Sequence, residues 1–459
     1  MKKMKLVLIG NGMAGVRTLE ELLKIAPALY DITVFGAEPH PNYNRILLSP
    51  VLAGEQTIEQ IVLNPLSWYE AHGITLHKGK KVVRVDRVRR LVIADDGTAA
   101  AYDRLLLATG SKPFMLPVPG ADLRGVIGYR DIADTEAMID AARRYKKAVV
   151  IGGGLLGLEA ANGLMRRGMD VSVVHLMPWL MERQLDGTAA GLLQRSLEAR
   201  GIRFEIGAQT QALIPDKHGG GDGTGTRPRV AAVRLEDGRE IPADLVVMAA
   251  GIRPNTALAQ SMQLHCERGI VVSDTMQTVT DPRVYAVGEC AAHRGIAYGL
   301  VAPLFEQGCV CATHLAQFGI GRYGGSTTST KLKVTGIDLF SAGNFMGGEG
   351  HEEILLNDPG GGVYKKLVIK DDRLVGACLY GDTADGRWYL ELMRAGRKVD
   401  DIRDELMFGA SNSGHSGHSG HSGHSGHSGH SGHSGHAGNT RAALGLRRFG
   451  ALPTPEAAA

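Results

Sequence analysis

Residues Lys5–Gly15 read KLVLIGNGMAG, and this stretch decides the fold. Leu6–Ile9 is a short continuous apolar run, which is typical of a parallel strand buried on both faces. A G-x-G-x-x-G turn follows over Gly10–Gly15, and the residues after it read as a helix. A strand, a glycine turn and a helix in this order predict a dinucleotide-binding crevice, because the free N–H groups of the helix N-terminus can receive a pyrophosphate.

The composition is that of a soluble globular protein with about three domains. The chain has 459 residues, of which 44% are hydrophobic and 22% are charged. The net charge of +3 gives no reason to expect a nucleic-acid or membrane-surface partner. The apolar stretch before Gly10 is too short for a signal peptide, and no run is long enough to span a membrane. Five cysteines, odd in number and late in the chain, favour a reduced, cytoplasmic protein.

A second copy of the opening pattern lies in the middle of the chain. Lys147–Ile151 reads as a buried strand, Gly152–Gly157 is a second G-x-G-x-x-G, and Val171–Leu176 reads as the next strand. Two such turns are far more specific than one, and they predict two dinucleotide cofactors.

The predicted fold is α/β, with two Rossmann-like domains, the second inserted into the first, followed by an α+β domain and a tail. A helix is expected near Ile58–His72 and a strand over Lys331–Ala342. Eight Ser-Gly-His repeats from Ser413 to His436 carry no apolar residue, so the tail is expected to be disordered. The expected boundaries are 1–113 with 245–322 for the first domain, 114–244 for the second, 323–410 for the third and 411–459 for the tail.

Three features together resemble the two-dinucleotide flavoprotein reductases of the glutathione-reductase structural class. They are the first glycine turn followed by Glu38, the second glycine turn, and the sequence TDPRVYAVGE ahead of a helical run. Within that class, the chain is similar to the N-terminal reductase part of the NAD(P)H-dependent nitrite reductase large subunit. The stretches that carry this similarity are GNGMAG, YNRILLSP, GGGLLGLEAA, HLMPWLMERQLD and KLKVTGIDLFSAG.

The resemblance implies that the first turn holds FAD. Glu38 would bind the adenosine ribose, Arg45 would lie near the flavin and phosphates with a catalytic role, and Val82 would contact the adenine. Glu289 takes the position that binds the ribitol chain, where most relatives have Asp. The full implied FAD set is Gly10, Gly12, Ala14, Gly15, Glu38, Arg45, Val82, Thr109, Gly110, Gly288, Glu289, Val301 and Pro303.

The resemblance implies that the second turn holds NAD(P)H. Glu159 matches a catalytic position that faces the nicotinamide, although an acid in a first helical turn also suits the helix dipole alone. His175 stands where an NAD-preferring site usually has an acid, and a surface histidine at a strand end is the alternative. Without that acid, nothing at this position repels the 2′-phosphate of NADPH. Arg183 could assist its binding, but the sequence has no cluster of arginines here, so the preference between NADH and NADPH stays open. The full implied set is Gly152, Gly154, Leu155, Gly157, Glu159, His175 and Gly251.

The positions of the cysteines limit the mechanism. No cysteine precedes Cys266, which excludes a thiol relay at the flavin. Cys309 and Cys311 supply too few ligands for a metal site, and we interpret them as buried structural thiols. Hydride is therefore expected to pass from NAD(P)H to FAD, with electrons then leaving to a one-electron partner.

The expected partner is an iron–sulfur and sirohaem nitrite reductase protein or module in nitrate assimilation. The full-length relative carries both modules, whereas this sequence has no cysteine after Cys378. Either a separate protein takes the electrons or the chain is a truncated form. The first alternative function is a rubredoxin or ferredoxin reductase. The second is a metal-binding scaffold that uses the histidines of the tail, and the completeness of both glycine turns argues against it.

Overall fold

The computed structural model describes residues 3–216, 227–319, 321–326, 329–334 and 336–410. The glycine-rich loop expected around residues 219–225 and the Ser-Gly-His tail lie outside these residues. The chain divides into two compact units, one of residues 1–183 with 193–328 and the other of residues 184–192 with 329–459.

The first sheet of the larger unit is parallel throughout and contains the opening strand. Met4–Ile9 lies in its centre because its apolar side chains are buried on both faces. The strand near residue 285 joins the same sheet, so chain segments almost three hundred residues apart share one core. In spatial order the strands are Val284–Ala286, Arg104–Leu107, Met4–Ile9, Tyr30–Gly36 and Thr75–Lys78.

The second sheet repeats this arrangement with five parallel strands. Leu245–Met248 pairs with the strand that precedes the second glycine turn, so the domain boundary predicted at residue 245 is wrong at this strand. An apolar strand is compatible with either sheet, and its sequence does not say which neighbours it pairs with. In spatial order the strands are Val126–Gly128, Leu245–Met248, Lys147–Ile151, Asp170–His175 and Arg203–Ile206.

Short strands and helices complete the larger unit, and the short strands pair antiparallel except for Ile270–Val272 with Ala291–His293, which are parallel. Ser111–Pro113 pairs with Ile252–Pro254 where the chain crosses between the two sheets. The other strands are Asn42–Tyr43 with Val62–Asn64, Val82–Asp86 with Leu91–Ala94 and Ala99–Ala101, Thr210–Pro215 with Val230–Leu235 and Glu240–Pro242, and Ile270–Val272 with Ala291–His293. The α-helices of the larger unit are Met13–Ile25, Leu48–Ala53, Leu66–Ala71, Ile132–Arg144, Leu155–Arg166, Ala257–Ser261 and Val301–Leu315, with 3-10 turns at Arg45–Leu47, Glu59–Ile61 and Gly288–Cys290. The helix Gly187–Glu198 begins among residues 184–192, which belong to the smaller unit.

The smaller unit contains an antiparallel sheet packed against one helix. Its strands lie in the order Ser329–Val334, Ile337–Gly343, Arg373–Tyr380, Val363–Lys370 and Glu352–Asp358. The helix Gly386–Ala395 places Tyr389 and Leu392 on the sheet, and two 3-10 turns, Asp400–Ile402 and Leu406–Phe408, close that core.

Two predictions about secondary structure are wrong. The helix expected near Ile58–His72 is a 3-10 turn, a short strand and the helix Leu66–Ala71, because Pro65 interrupts the run. The strand expected over Lys331–Ala342 is a hairpin that turns at Gly336, whose φ is +90°. Among the described residues, no helix combines the length and apolar character that a membrane crossing requires.

Candidate functional site

The first glycine turn has the geometry of a phosphate cradle. Gly10 has φ of +108°, and a Cβ there would lie 2.1 Å from the Ala108 carbonyl oxygen, so only glycine fits. A Cβ on Gly12 would meet nothing within 4 Å, which leaves its backbone open to a ligand. A Cβ on Gly15 would lie 2.9 Å from Leu8, which shows how closely the helix packs on the strand. These are the three roles that a pyrophosphate-binding turn needs.

The helix Met13–Ile25 leaves its N-terminus free for an anion. Gly12 is the N-cap, no side chain caps the helix, and no acid occupies the first turn. Ala14 in that turn is 2.9 Å from where a Cβ on Gly288 would be, so the chain ahead of Glu289 passes directly over the turn. The residues present therefore fit a dinucleotide pyrophosphate, with the helix dipole favouring its charge.

Glu38 and Arg45, both expected from the sequence, form one cluster. Glu38 accepts a hydrogen bond from the Tyr43 hydroxyl at 2.6 Å and pairs with the Arg45 guanidinium. Arg45 also donates to the backbone carbonyl of Arg130 at 2.9 Å. The cluster places a carboxylate just beyond the second strand of the first sheet, where a ribose hydroxyl can donate to it.

Glu289 lies at the other end of this crevice with two partners that sequence reasoning missed. Its Oε2 accepts from Ser111 Oγ at 2.9 Å and pairs with the Arg130 guanidinium. Gly110, a member of the expected FAD set, leaves room beside this pair, since a Cβ there would lie about 4 Å from both charged groups. Arg130 follows a strand of the second sheet, so its contact is visible only in the folded chain.

The remaining residues of the expected FAD set take supporting positions. Thr109 Oγ1 donates to the Asn255 carbonyl at 2.7 Å, and Gln307 Oε1 accepts from the Gly288 N–H at 3.0 Å. Val82 begins the strand Val82–Asp86, and its side chain is buried in the apolar cluster that includes the first sheet. Val301 and Pro303 form the first turn of the helix Val301–Leu315.

The second glycine turn repeats the first. Gly152 has φ of +123° and donates to the Val174 carbonyl at 2.8 Å. A Cβ on Gly154 would meet nothing within 4 Å, whereas one on Gly157 would lie 1.9 Å from the Gly152 carbonyl oxygen. Leu155 begins an uncapped helix with no acid in its first turn, so the alternative interpretation of Glu159 as a first-turn acid is wrong. Gly251, with φ of +118°, likewise has open space beside it. These residues fit a second pyrophosphate.

Glu159 lies where the two halves of the larger unit meet. The helix that carries it packs closely on the helix Leu48–Ala53, since a Cβ on Gly163 would lie 2.6 Å from Leu52. Ser49 on the facing helix donates to Glu159 Oε2 at 2.6 Å, and the Ser49 and Tyr129 hydroxyl oxygens are 3.2 Å apart. Burial raises the pKa of Glu159 to about 7, against the opposing effect of the Ser49 hydrogen bond.

His175 is buried, not a surface residue at the strand end. Its Nδ1 accepts from the Gly153 N–H at 3.0 Å, and its Nε2 lies 2.9 Å from the Trp179 carbonyl oxygen. Glu182, a residue that the sequence did not single out, lies 3.2 Å from the same Nε2. Both ring nitrogens are therefore engaged by the protein.

The thiols divide into two environments. Cys290 and Cys311 are buried, and burial raises the pKa of both, which keeps them protonated and unreactive. Cys309 is exposed, so the interpretation of Cys309 and Cys311 as a buried pair is wrong for Cys309. The two residues are on different sides of the helix because a spacing of two turns a side chain by about 200°.

Comparison with known proteins defines the class. Residues 4–313 match the pyridine nucleotide-disulphide oxidoreductase family, and residues 329–397 match the rubredoxin NAD+ reductase C-terminal domain. The chain belongs to the pyridine nucleotide-disulphide oxidoreductase family. Its cofactors are FAD and NAD(P)H, which accords with two open glycine turns.

Individual relatives indicate which kinds of reductase within the family the chain is similar to. The chain is 53% identical over 386 residues to nitrite reductase [NAD(P)H] of Bacillus subtilis (strain 168), covering 84% of this chain and 46% of the relative. It is 46% identical to the assimilatory nitrate reductase electron transfer subunit of the same organism, covering 89% and 51%. The chain thus spans about half the length of these relatives. Among solved structures, putidaredoxin reductase in its covalent complex with putidaredoxin has a TM-score of 0.76 and 26% identity, covering 87% of this chain and 94% of that one.

Proposed function

We propose that this chain oxidises NAD(P)H at the second glycine turn and passes electrons, through FAD at the first, to a nitrite reductase partner or module. The observation that carries the proposal is that one compact unit holds two complete, open glycine turns. The similarity to a nitrite reductase and to a nitrate reductase electron transfer subunit supports the choice of acceptor. In this proposal residues 1–113 and 249–322 hold FAD, residues 114–248 hold NAD(P)H, 323–410 form a third domain and 411–459 a tail.

The residues at the first turn would bind and orient FAD. FAD, when bound, supplies the conversion of a two-electron hydride into single electrons. Gly12 and the free helix N-terminus receive the pyrophosphate, and the Glu38 carboxylate accepts from the ribose. Glu289, held by Ser111 and paired with Arg130, presents a fixed acceptor to the ribitol chain. Holding both ends of the cofactor contributes to catalysis by orientation.

Glu159 would hold and position a proton beside the nicotinamide. Its burial keeps the carboxyl partly protonated near neutral pH, so it can donate as well as accept a hydrogen bond. Ser49 fixes Oε2 and leaves the other oxygen of the carboxyl for a ligand. The proton stays on Glu159 through desolvation, since no cation pairs with it among the described residues.

A second candidate is a rubredoxin or ferredoxin reductase. Residues 329–397 match the C-terminal domain of rubredoxin NAD+ reductase, and that observation favours it. The scaffold alternative depends on the histidine tail, which lies outside the described residues. The five cysteines are all free, which supports a cytoplasmic location for any of these functions.

Anaerobic stopped-flow measurements separate these functions. NADH or NADPH is first mixed with the purified protein, and the bleaching of the flavin absorption is followed. The reduced protein is then mixed with a sirohaem nitrite reductase or with rubredoxin. Fast reoxidation by the sirohaem protein supports the proposal. Fast reoxidation by rubredoxin alone would establish the second candidate, and a colourless protein would revive the scaffold.

A further inference from the structure

The two dinucleotide crevices differ at the end of their second strand. Glu38 follows Tyr30–Gly36 of the first sheet closely and places a carboxylate there. In the second sheet the strand Asp170–His175 ends on a histidine. Since His175 Nδ1 accepts from Gly153, Nε2 carries the ring proton of the neutral form and points at Trp179 and Glu182. The ring is committed to the protein and has no nitrogen left for a ribose.

Glu182 is brought to the same place by the loop that follows the strand. The Met181 N–H donates to the Gly153 carbonyl at 3.0 Å, so the segment just before Glu182 is fastened to the second glycine turn. The carboxylate then lies 3.2 Å from His175 Nε2, with about a quarter of its side chain exposed. The hydrogen bond from His175 lowers the pKa of Glu182, which keeps the group ionised.

We propose that Glu182, positioned by His175, selects NADH over NADPH in this protein. A carboxylate at the end of the second strand accepts from a ribose 2′-hydroxyl and repels a 2′-phosphate. Here the strand end has no carboxylate of its own, and a residue seven positions later supplies one. This inference rests on the proposed function, in which the second turn binds the nicotinamide cofactor.

Arg183 provides the opposing charge next in the chain. It is exposed, and its guanidinium would favour a 2′-phosphate if it turned toward the cofactor. The structure fixes Glu182 through His175 and the glycine turn, so the ordered charge at this position is negative. Substitution of Glu182 is therefore expected to change the preference and substitution of Arg183 is not, so the two neighbours serve as matched variants.

The test measures binding of NAD+ and NADP+ to the full-length, FAD-loaded protein by isothermal titration calorimetry. The parent is expected to bind NAD+ at least tenfold more tightly than NADP+. Glu182→Gln should reduce this ratio by about tenfold, mainly by tightening NADP+ binding. Glu182→Asp keeps the charge and should keep most of the preference, and Arg183→Ala should leave it unchanged. Flavin absorption and thermal unfolding confirm that each variant is folded.

Each outcome decides a separate point. A ratio that Glu182→Gln leaves unchanged overturns the role of Glu182. A parent preference for NADP+ that Arg183→Ala abolishes assigns the discrimination to Arg183 and overturns the inference as well. Failure of the parent to bind either nucleotide contradicts the proposed function itself, which distinguishes that failure from failure of the inference.

Discussion

The two glycine turns are nearly the same in backbone and differ in what surrounds them. Gly10 and Gly152 both have positive φ, and Gly12 and Gly154 both face open space. Beside the first turn, Glu38 contacts Tyr43 and Arg45, and Arg45 donates to the backbone of Arg130, which pairs with Glu289. Beside the second turn, the buried His175 accepts a hydrogen bond from the Gly153 N–H. The glycines therefore fix where a pyrophosphate binds, while side chains from distant segments decide which dinucleotide the site accepts.

The largest expected effect comes from the glycines that the two turns share. Gly10→Ala and Gly152→Ala place a Cβ within 2.1 and 2.4 Å of a backbone carbonyl oxygen at positive φ. We expect each to lower the free energy of unfolding by about 3 kcal/mol or more. Chemical denaturation followed by circular dichroism measures it. Gly97→Ala is the control, since its φ is also positive but its surroundings are open, and it should cost only about 1 kcal/mol.

Substitutions at the two open glycines should affect FAD binding and NAD(P)H binding separately. Gly12→Ala and Gly154→Ala add a methyl group that meets no protein atom, so both variants should fold. Gly12→Ala should weaken FAD binding roughly tenfold or more and leave NADH binding intact, because the added methyl group lies where the FAD pyrophosphate approaches. Gly154→Ala should weaken NADH binding and leave FAD binding intact for the same reason. Flavin content and titration with NADH measure the two effects. Loss of FAD from Gly154→Ala would contradict the assignment of the turns.

A smaller effect is expected at the carboxyl between the turns. The pKa of Glu159 is raised in the folded protein, so the native state binds more protons than the unfolded state between the ordinary carboxyl range and about pH 7. Stability therefore falls as pH rises through this window. Glu159→Gln should be more stable than the parent by on the order of 2 kcal/mol above pH 8, and equal to it below about pH 4.

Urea denaturation across this pH range checks the prediction for Glu159. The same substitution at the exposed Glu136, Glu136→Gln, serves as the matched control. A constant difference between Glu159→Gln and the parent at all pH values would show that the carboxyl titrates normally.

The two strand–turn–helix units could be predicted from the sequence alone. Their glycines are required by local backbone geometry, which residue identity alone reports. The same local signals predicted the family and the pair of cofactors. Glu38 and Arg45 could also be predicted as site residues, since Glu38 follows the second strand by two residues and Arg45 belongs to the recognisable stretch YNRILLSP.

The pairings between distant segments are visible only in the folded chain. Leu245–Met248 is apolar enough for either sheet, and its hydrogen-bonded neighbours place it in the second. Arg130 reaches Glu289, Ser49 reaches Glu159 and Glu182 reaches His175, and the sequence carries no local sign of any of these contacts. The physical reason is that glycine and strand patterns report short-range backbone sterics, whereas the partner of a charged side chain depends on how the sheets and helices pack.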